Sequence, residues 1–411
     1  MLWRMPGYGS RYWADRTKPA RRPTFPRLRG EHSADVVVIG GGLVGCAAAY
    51  GLAAAGLDVI LLEGDRLANG ATAGSLGGLV PEPDASFASV EQLTGRRVAR
   101  AAWTEARKGA LELVALLKRL EIKCDLAESA LLINARTYVD APALRKEQGT
   151  RKAAGLDAPW LGAPAARRVL ATESEGAIRL HDAFTFDPVR AALGLALAAQ
   201  TKGARLFERS LVTRTRFTRK DATVFFEGGR IVTKGVVVAT GEPGSLFGQL
   251  RRHVDRQDGF VVATHPLPTA MRREVGAVGS LTTEADASRH WMRWLPEGRL
   301  LFAGAAGPAI PRRLLDKTVV QRTAQLMYEL SVRYPAISGL PAAWGWQLPV
   351  VSTPDGLPWI GQHRNYPHHF FAMAFGWHGD GLSFWAARAA ARHFAGQSRR
   401  EDEAFGFARH L

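Results

Sequence analysis

Residues 36–50 read VVVIGGGLVGCAAAY, and the fold turns on how this stretch is read. Four β-branched residues run into three glycines, and a small-residue helix pattern follows. Gly40, Gly42 and Gly45 stand in G-x-G-x-x-G spacing at the junction of strand and helix. The first glycine permits a tight turn, the second lets backbone approach a phosphate, and the third lets the helix pack close to the sheet. Leu43 and Val44 open the helix, whose N-terminal N–H groups and positive dipole end suit a pyrophosphate. The following LDVILLE supplies a second strand ending in Glu63, about 20 residues beyond the turn, where a carboxylate can grip ribose hydroxyls. Strand, turn, helix, strand and acid in that order predict a dinucleotide-binding βαβ unit.

The same stretch has a rival reading. Residues 42–62 are almost wholly apolar over about the length that crosses a bilayer. Asp58 and the glycines interrupt the run, and the βαβ unit accounts for it better. The N-terminus lacks a continuous apolar core, so no secretory signal is expected. Cys46 and Cys124 are the only cysteines among 411 residues and form no CxxC pair, which predicts a reducing, cytoplasmic setting.

An apolar fraction of 46% and a charged fraction of 22% describe a folded globular chain rather than a disordered one. The net charge of +16 admits a nucleic-acid or anionic-lipid surface, but dispersed arginine is the simpler account, and nucleic acid is disfavoured as a partner. Residues 1–30 carry a local excess, with Arg4, Arg11, Arg16, Lys18, Arg21, Arg22, Arg27 and Arg29 against Asp15. Prolines 6, 19, 23 and 26 predict a basic, extended arm lying on the body of the protein.

Periodicity predicts helices over residues 43–55, 92–120, 188–200, 318–333 and 382–394. Strands are expected at 36–39, 59–62, 205–207, 211–217, 223–227 and 235–239, with a hairpin turn at Pro296-Glu297-Gly298. The fold class expected is α/β (α+β): a Rossmann-like nucleotide-binding domain assembled from residues 31–90, 165–250 and 350–400. An antiparallel-sheet substrate domain is inserted as residues 91–164 and 251–349.

Three distant stretches narrow the cofactor. KGVVVATGEPGS (residues 234–245) is similar to the second cofactor-contacting strand of flavoproteins with two dinucleotide-type domains. STPDGLPWIGQ (352–362) and AFGWHGDGLSFW (374–385) resemble the carboxy-terminal flavin motifs of the D-amino acid oxidase/glycine oxidase family. FTFDPVRAALGLALAAQTKGARLFERSLV matches that family's helix and strand toward the adenine. The likeness extends from about residue 34 to 396, and SRYWAD in the arm looks like the SYWA start of γ-glutamylputrescine oxidase-like members.

The resemblance implies a glutathione-reductase-type FAD domain and FAD held by Gly40, Gly42, Leu43, Val44, Gly45, Glu63, Gly70, Ala71, Thr72, Leu76, Gly77, Gly78, Val212, Ala239, Thr240, Gly241, Gly361, Gly376, Trp377, His378, Gly379, Asp380, Gly381 and Leu382. Attachment is expected to be non-covalent, since no cysteine follows Cys124 and no histidine lies in residues 70–83. The implied reaction is oxidation of a C–N bond of an amine or amino acid by hydride transfer to the flavin. The imine is hydrolysed, and oxygen or another acceptor reoxidises the flavin. His378, Trp346, Trp294 and His265 are the candidate catalytic or pocket residues, and no metal is expected.

Two departures from the family stand out. WGWQLPVVSTPDG lacks the arginine with which amino-acid-handling members pair a substrate carboxylate, leaving Arg293 and Arg299 as possible substitutes. GATAGSLGGLVPEP lacks the arginine that many relatives carry beside the flavin, so contacts there would run through backbone. Oxidation of a 2-hydroxy acid or other C–O substrate, and a flavin domain acting on modified transfer RNA, stay open as alternatives.

Overall fold

The computed structural model describes residues 8–17, 22–285 and 289–409. Arg4, Pro6, Lys18, Pro19 and Arg21 of the expected arm lie outside the described residues. Two sheets organise the chain. The first runs Trp359–Gln362, His369–Met373, Gly229–Gly241, Gly30–Ile39, Val59–Leu62 and Arg205–Phe207 from edge to edge. Five of these strands are parallel, and Trp359–Gln362 closes the edge antiparallel. Val38 sits in register between Leu61 and Val237, with all three buried. Burial on both faces explains the unbroken apolar runs in place of alternation.

The apolar run after the turn divides into the helix Leu43–Ala54 and the strand Val59–Leu62. That settles the bilayer rival: the segment is the return leg of a buried βαβ unit. No helix among the described residues is long and apolar enough to cross a membrane. Gly51 of this helix faces Ala387, whose Cβ would stand 3.3 Å from an added methyl, so the helix Ser383–Phe394 packs closely over it.

The second sheet is ordered Ala342–Ser352, Asp255–Thr264, Arg299–Pro308, Trp291–Leu295, Ser280–Glu284, Ala127–Ala135, Gly176–Thr185 and Gly78–Leu79. It is antiparallel except where Ser280–Glu284 joins Ala127–Ala135 in parallel. The helix Leu315–Arg333 covers its outer face through Val319, Leu326 and Leu330. Gly176–Thr185 and Gly78–Leu79 pair in this sheet, so the 31–90 and 165–250 segments each feed both sheets.

The predicted helix at 92–120 is two helices, Phe87–Thr94 and Arg96–Arg119, broken at Gly95 with φ +82°. The first starts early because Glu147 accepts hydrogen bonds from the amides of Phe87 (2.7 Å) and Ala88 (2.9 Å), satisfying donors a helix start leaves open. The expected helix at 188–200 is Pro188–Thr201, with Asp187 accepting from Arg190 N at its cap.

Candidate functional site

The turn after the first strand has the geometry its glycines foretell. Gly40 has φ +104°, and a Cβ there would lie 2.5 Å from Ala239 O. A Cβ on Gly45 would lie 1.8 Å from Gly40 O, so only glycine lets the helix start this close to the strand. Glu63 is half-buried beneath the turn and accepts from Gly41 N (2.7 Å) and Asp65 N (2.8 Å). Burial raises its pKa against the pull of these amides. The Leu43 amide donates to Thr72 Oγ1 (2.9 Å), which ties the helix mouth to the 70–78 loop. Val44 and Gly45 are left in the first turn, where amides have no intrahelical acceptor.

Ala239, Thr240 and Gly241 end the adjacent parallel strand. Val212 opens the hairpin beside it and is buried against Phe226. Gly361 lies farther out, on the edge strand opposite Phe371 and beside Gly406.

The 376–382 loop lies between the two sheets. Ala374 N donates to Gly241 O (2.9 Å) of the first, and Gly376 N donates to Val351 O (2.8 Å) of the second. The loop therefore sits in the crevice beyond the carboxyl ends of the parallel strands, where open α/β sheets take their ligands. Gly376 has φ +70°, and a Cβ on it would lie 2.3 Å from Asp84 Oδ2. That carboxylate oxygen accepts from Trp377 N at 2.7 Å, and Arg289 Nη1 reaches Asp84 Oδ1 at 3.2 Å. Ser75 donates its hydroxyl to Asp380, whose enclosure pushes its pKa up to about 6. Gly381 packs on Ala110 and Val80, ahead of Leu382.

His378 is buried, with neither ring nitrogen hydrogen-bonded, and Asp84 Oδ1 stands 3.4 Å from Nδ1. Burial lowers its pKa, so the ring is neutral near pH 7. The Trp291 ring lies 4.4 Å from it, centroid to centroid, and Trp291 Nε1 is likewise buried without a partner. Buried polar atoms left unpaired are costly. Three of them converging beside a glycine loop at the strand ends is the arrangement a bound ring and substrate would complete. With the phosphate turn, Glu63 and the glycine crevice, the donors and clearances fit FAD.

The other candidates fall elsewhere. Trp346 is buried and donates its indole N–H to Gly74 O (3.1 Å), acting as a strut under the 70–78 loop. Trp294 packs in the outer-face cluster and donates to Gly276 O (2.9 Å), away from the glycine loop. His265 is exposed past the end of Asp255–Thr264. Arg299 donates to Thr264 O and lies over Trp344. Arg293 is buried and engages the carbonyls of Leu76 (3.3 Å), Gly77 and Phe186 (3.3 Å), so it is committed to backbone rather than open to a substrate carboxylate. Asp84 is not marked by sequence reasoning, and Trp291 stands there only as one of several late aromatics, with Trp346 and Trp294 preferred for the pocket. Asp84 directly follows the VPEP run, but nothing local marks it as a partner for the distant glycine loop.

Gamma-glutamylputrescine oxidoreductase of Escherichia coli is 25% identical over 381 residues, covering 92% of this chain and 87% of that protein. The crystal structure of glycine oxidase from Geobacillus kaustophilus aligns with a TM-score of 0.76 at 21% identity, over 92% of this chain and 100% of the other. L-amino acid deaminase from Proteus myxofaciens, solved with anthranilate, aligns at 0.75 and 15% identity over 94% and 96%. The family profile described as FAD dependent oxidoreductase (DAO) matches residues 35–393. The chain belongs to that family and is an FAD-dependent oxidoreductase.

Proposed function

We propose that this enzyme oxidises the C–N bond of a small amine or amino acid, with FAD bound non-covalently along the crevice described above. The observation that carries the proposal is the buried His378 set beside Trp291 and Asp84 at the glycine loop. Bound FAD would supply the hydride acceptor that converts the amine to an imine, which water then hydrolyses. The protein's part is to orient and to hold a proton. A neutral imidazole accepts a hydrogen bond, or a proton, from the substrate nitrogen, and hydride leaves only once that nitrogen has a free lone pair. The Trp291 ring offers an aromatic face to a cationic substrate on arrival, and its N–H offers one donor. Glu63 and the Gly40–Gly42–Gly45 turn fix the nucleotide end, and the 376–382 loop and Gly77–Gly78 fix the ring end.

We further propose that the second sheet forms the substrate side. No arginine lies on Ala342–Ser352, and Arg293 is engaged by carbonyls, which favours an amine over a substrate anchored by its carboxylate. Anaerobic mixing of the yellow protein with amines, amino acids and 2-hydroxy acids tests the reading. Amines should bleach the flavin absorbance, with colour returning on oxygen or another acceptor. Bleaching by hydroxy acids alone would replace this reading with C–O oxidation.

A further inference from the structure

Residues 67–77 run beside the crevice, and their carbonyl oxygens are held from behind by side chains distant in sequence. Arg22 donates to Leu67 O, and Arg11 donates to Asn69 O and Gly70 O (3.0 Å). Trp13 Nε1 donates to Ser75 O at 2.7 Å, and Trp346 Nε1 to Gly74 O at 3.1 Å. Arg293 reaches Leu76 O and Gly77 O. Three donors come from the N-terminal segment and two from the second sheet.

The segment is itself fastened down. Gly9 N donates to Gly345 O (2.8 Å), Tyr12 packs edge-on against Trp344, and Trp344 Nε1 donates to Asp15 (2.9 Å). Trp13 is 1% exposed. Arg293 is buried with no carboxylate paired to it among the described residues, and its ring-facing neighbour is Trp13, 5.5 Å away. A Cβ on Gly77, where φ is +67°, would strike Phe186 O, Arg293 Nη1 and Trp13 Cζ2, each within 2.8 Å. The back of the loop is thus filled by the two residues that hold it.

We propose that Trp13, Arg11 and Arg293 are positioning residues for FAD: by fixing these carbonyls toward the N-terminal segment, they aim the loop's amides into the crevice. In a trans peptide the carbonyl and the next N–H point in opposite directions. Holding the carbonyls of Asn69, Gly70, Ser75 and Gly77 at the back therefore turns the amides of Gly70, Ala71, Leu76 and Gly78 to the front. The front faces the phosphate turn, because Thr72 on that side accepts from Leu43 N and lies against Gly42. An N-terminal segment that looks like a basic tail becomes the back wall of the flavin site. This inference rests on the FAD-binding reading of the loop.

The test is FAD affinity of the full chain, read by flavin fluorescence titration of the apoprotein, beside the thermal midpoint of the apo form. Trp13→Phe keeps the ring and loses one N–H, and should weaken FAD binding about tenfold; Arg293→Gln should weaken it about a hundredfold. Arg293→Lys should recover part of the loss. Trp344→Phe breaks a bond in the same segment that does not touch the loop, and should lower the apo midpoint without changing FAD affinity. The inference is overturned if Trp13→Phe and Arg293→Gln bind FAD within twofold of wild type, or if Trp344→Phe weakens binding as much as Trp13→Phe. Wild-type protein that takes up no FAD would instead overturn the cofactor reading beneath it.

Discussion

The glycine turn at Gly40–Gly45 and the 67–78 loop, the two segments proposed to present backbone to FAD, are built in opposite ways. The turn is shaped by its own residues: Gly40 and Gly45 clear the strand–helix junction, and Glu63 ties Gly41 from 22 positions away. The loop is shaped from outside, by Trp13 across 62 positions and by Arg293 across 216. A self-shaped element should fail when its own residues change, and an externally shaped one when its supports do. Gly45→Ala against Gly70→Ala breaks or sharpens that contrast with the largest expected effect. A Cβ at position 45 meets backbone oxygen at 1.8 Å, which neither strand nor helix can yield without separating. The cost is about 3 kcal/mol or more, and the variant should purify colourless or not fold. A Cβ on Gly70 meets nothing within 4 Å and its φ is −79°, so Gly70→Ala should purify yellow with an unchanged melting midpoint. Equal behaviour of the two, by absorbance and by thermal melt, would end the distinction.

The same contrast explains what could be read in advance. The βαβ unit was legible because its signals are local: a buried β-branched run, glycines at fixed offsets, and an acid at the end of the next strand. The helix at 188–201 was legible through Pro188 and its apolar stripe. Asp84, Trp13 and the true engagement of Arg293 were not legible, since each depends on contacts that close only in the folded chain. The choice of Trp294 failed for another reason. Along Trp291–Leu295, side chains alternate faces, so Trp291 and Arg293 point inward, to His378 and to the back of the 67–77 loop, while Met292 and Trp294 point to the outer helix. Both faces are covered by apolar layers, so hydrophobicity gives no parity, and a one-residue shift exchanges the two sets. His265 is a candidate because the family resemblance places its stretch on the sheet above the flavin, but the strand ends one residue earlier, at Thr264.

Histidines in contrasting states lie on the two sides of that strand, and pH separates them. His290, on the outer face, is held between carboxylates: Nδ1 lies 2.7 Å from Glu284 and Nε2 lies 2.7 Å from Glu329. Arg333 also pairs with Glu284 (2.7 Å), and Arg136 stands 3.7 Å from it. Burial opposes the charge on His290, but the bonds to Glu284 and Glu329 outweigh it and raise its pKa. Against its own burial, Glu284 is lowered to about 2 by His290 and Arg333. The His290 contribution to stability is therefore fully present below its unfolded value of 6.5 and lost as pH rises through the raised value. That of Glu284 is present above 4.5 and lost as pH falls toward 2. His290→Gln should cost about 2 kcal/mol at pH 6 and clearly less at pH 9, by denaturant melts at both. A cost independent of pH would mean the ring is packed rather than charged.

His378, on the crevice side, is the inverse case and gives the smallest effect. Burial, with Arg289 adding to it and Asp84 and Glu82 opposing, holds its pKa below 6.5. The unfolded chain takes up a proton below that value while the folded chain resists it, so stability falls as pH drops from 6.5. His378→Asn removes the titrating group and should flatten the fall in melting midpoint between pH 6.5 and 5, measured on apoprotein so that cofactor loss does not intrude. Over the same interval His290→Gln should leave the slope nearly as in wild type, because folded His290 is protonated throughout and the unfolded group, already half protonated at 6.5, adds only a small term of opposite sign. If His378→Asn keeps the wild-type slope, the ring is not held neutral by burial, and a substrate nitrogen would meet an imidazolium at the position where the proposed chemistry needs an acceptor.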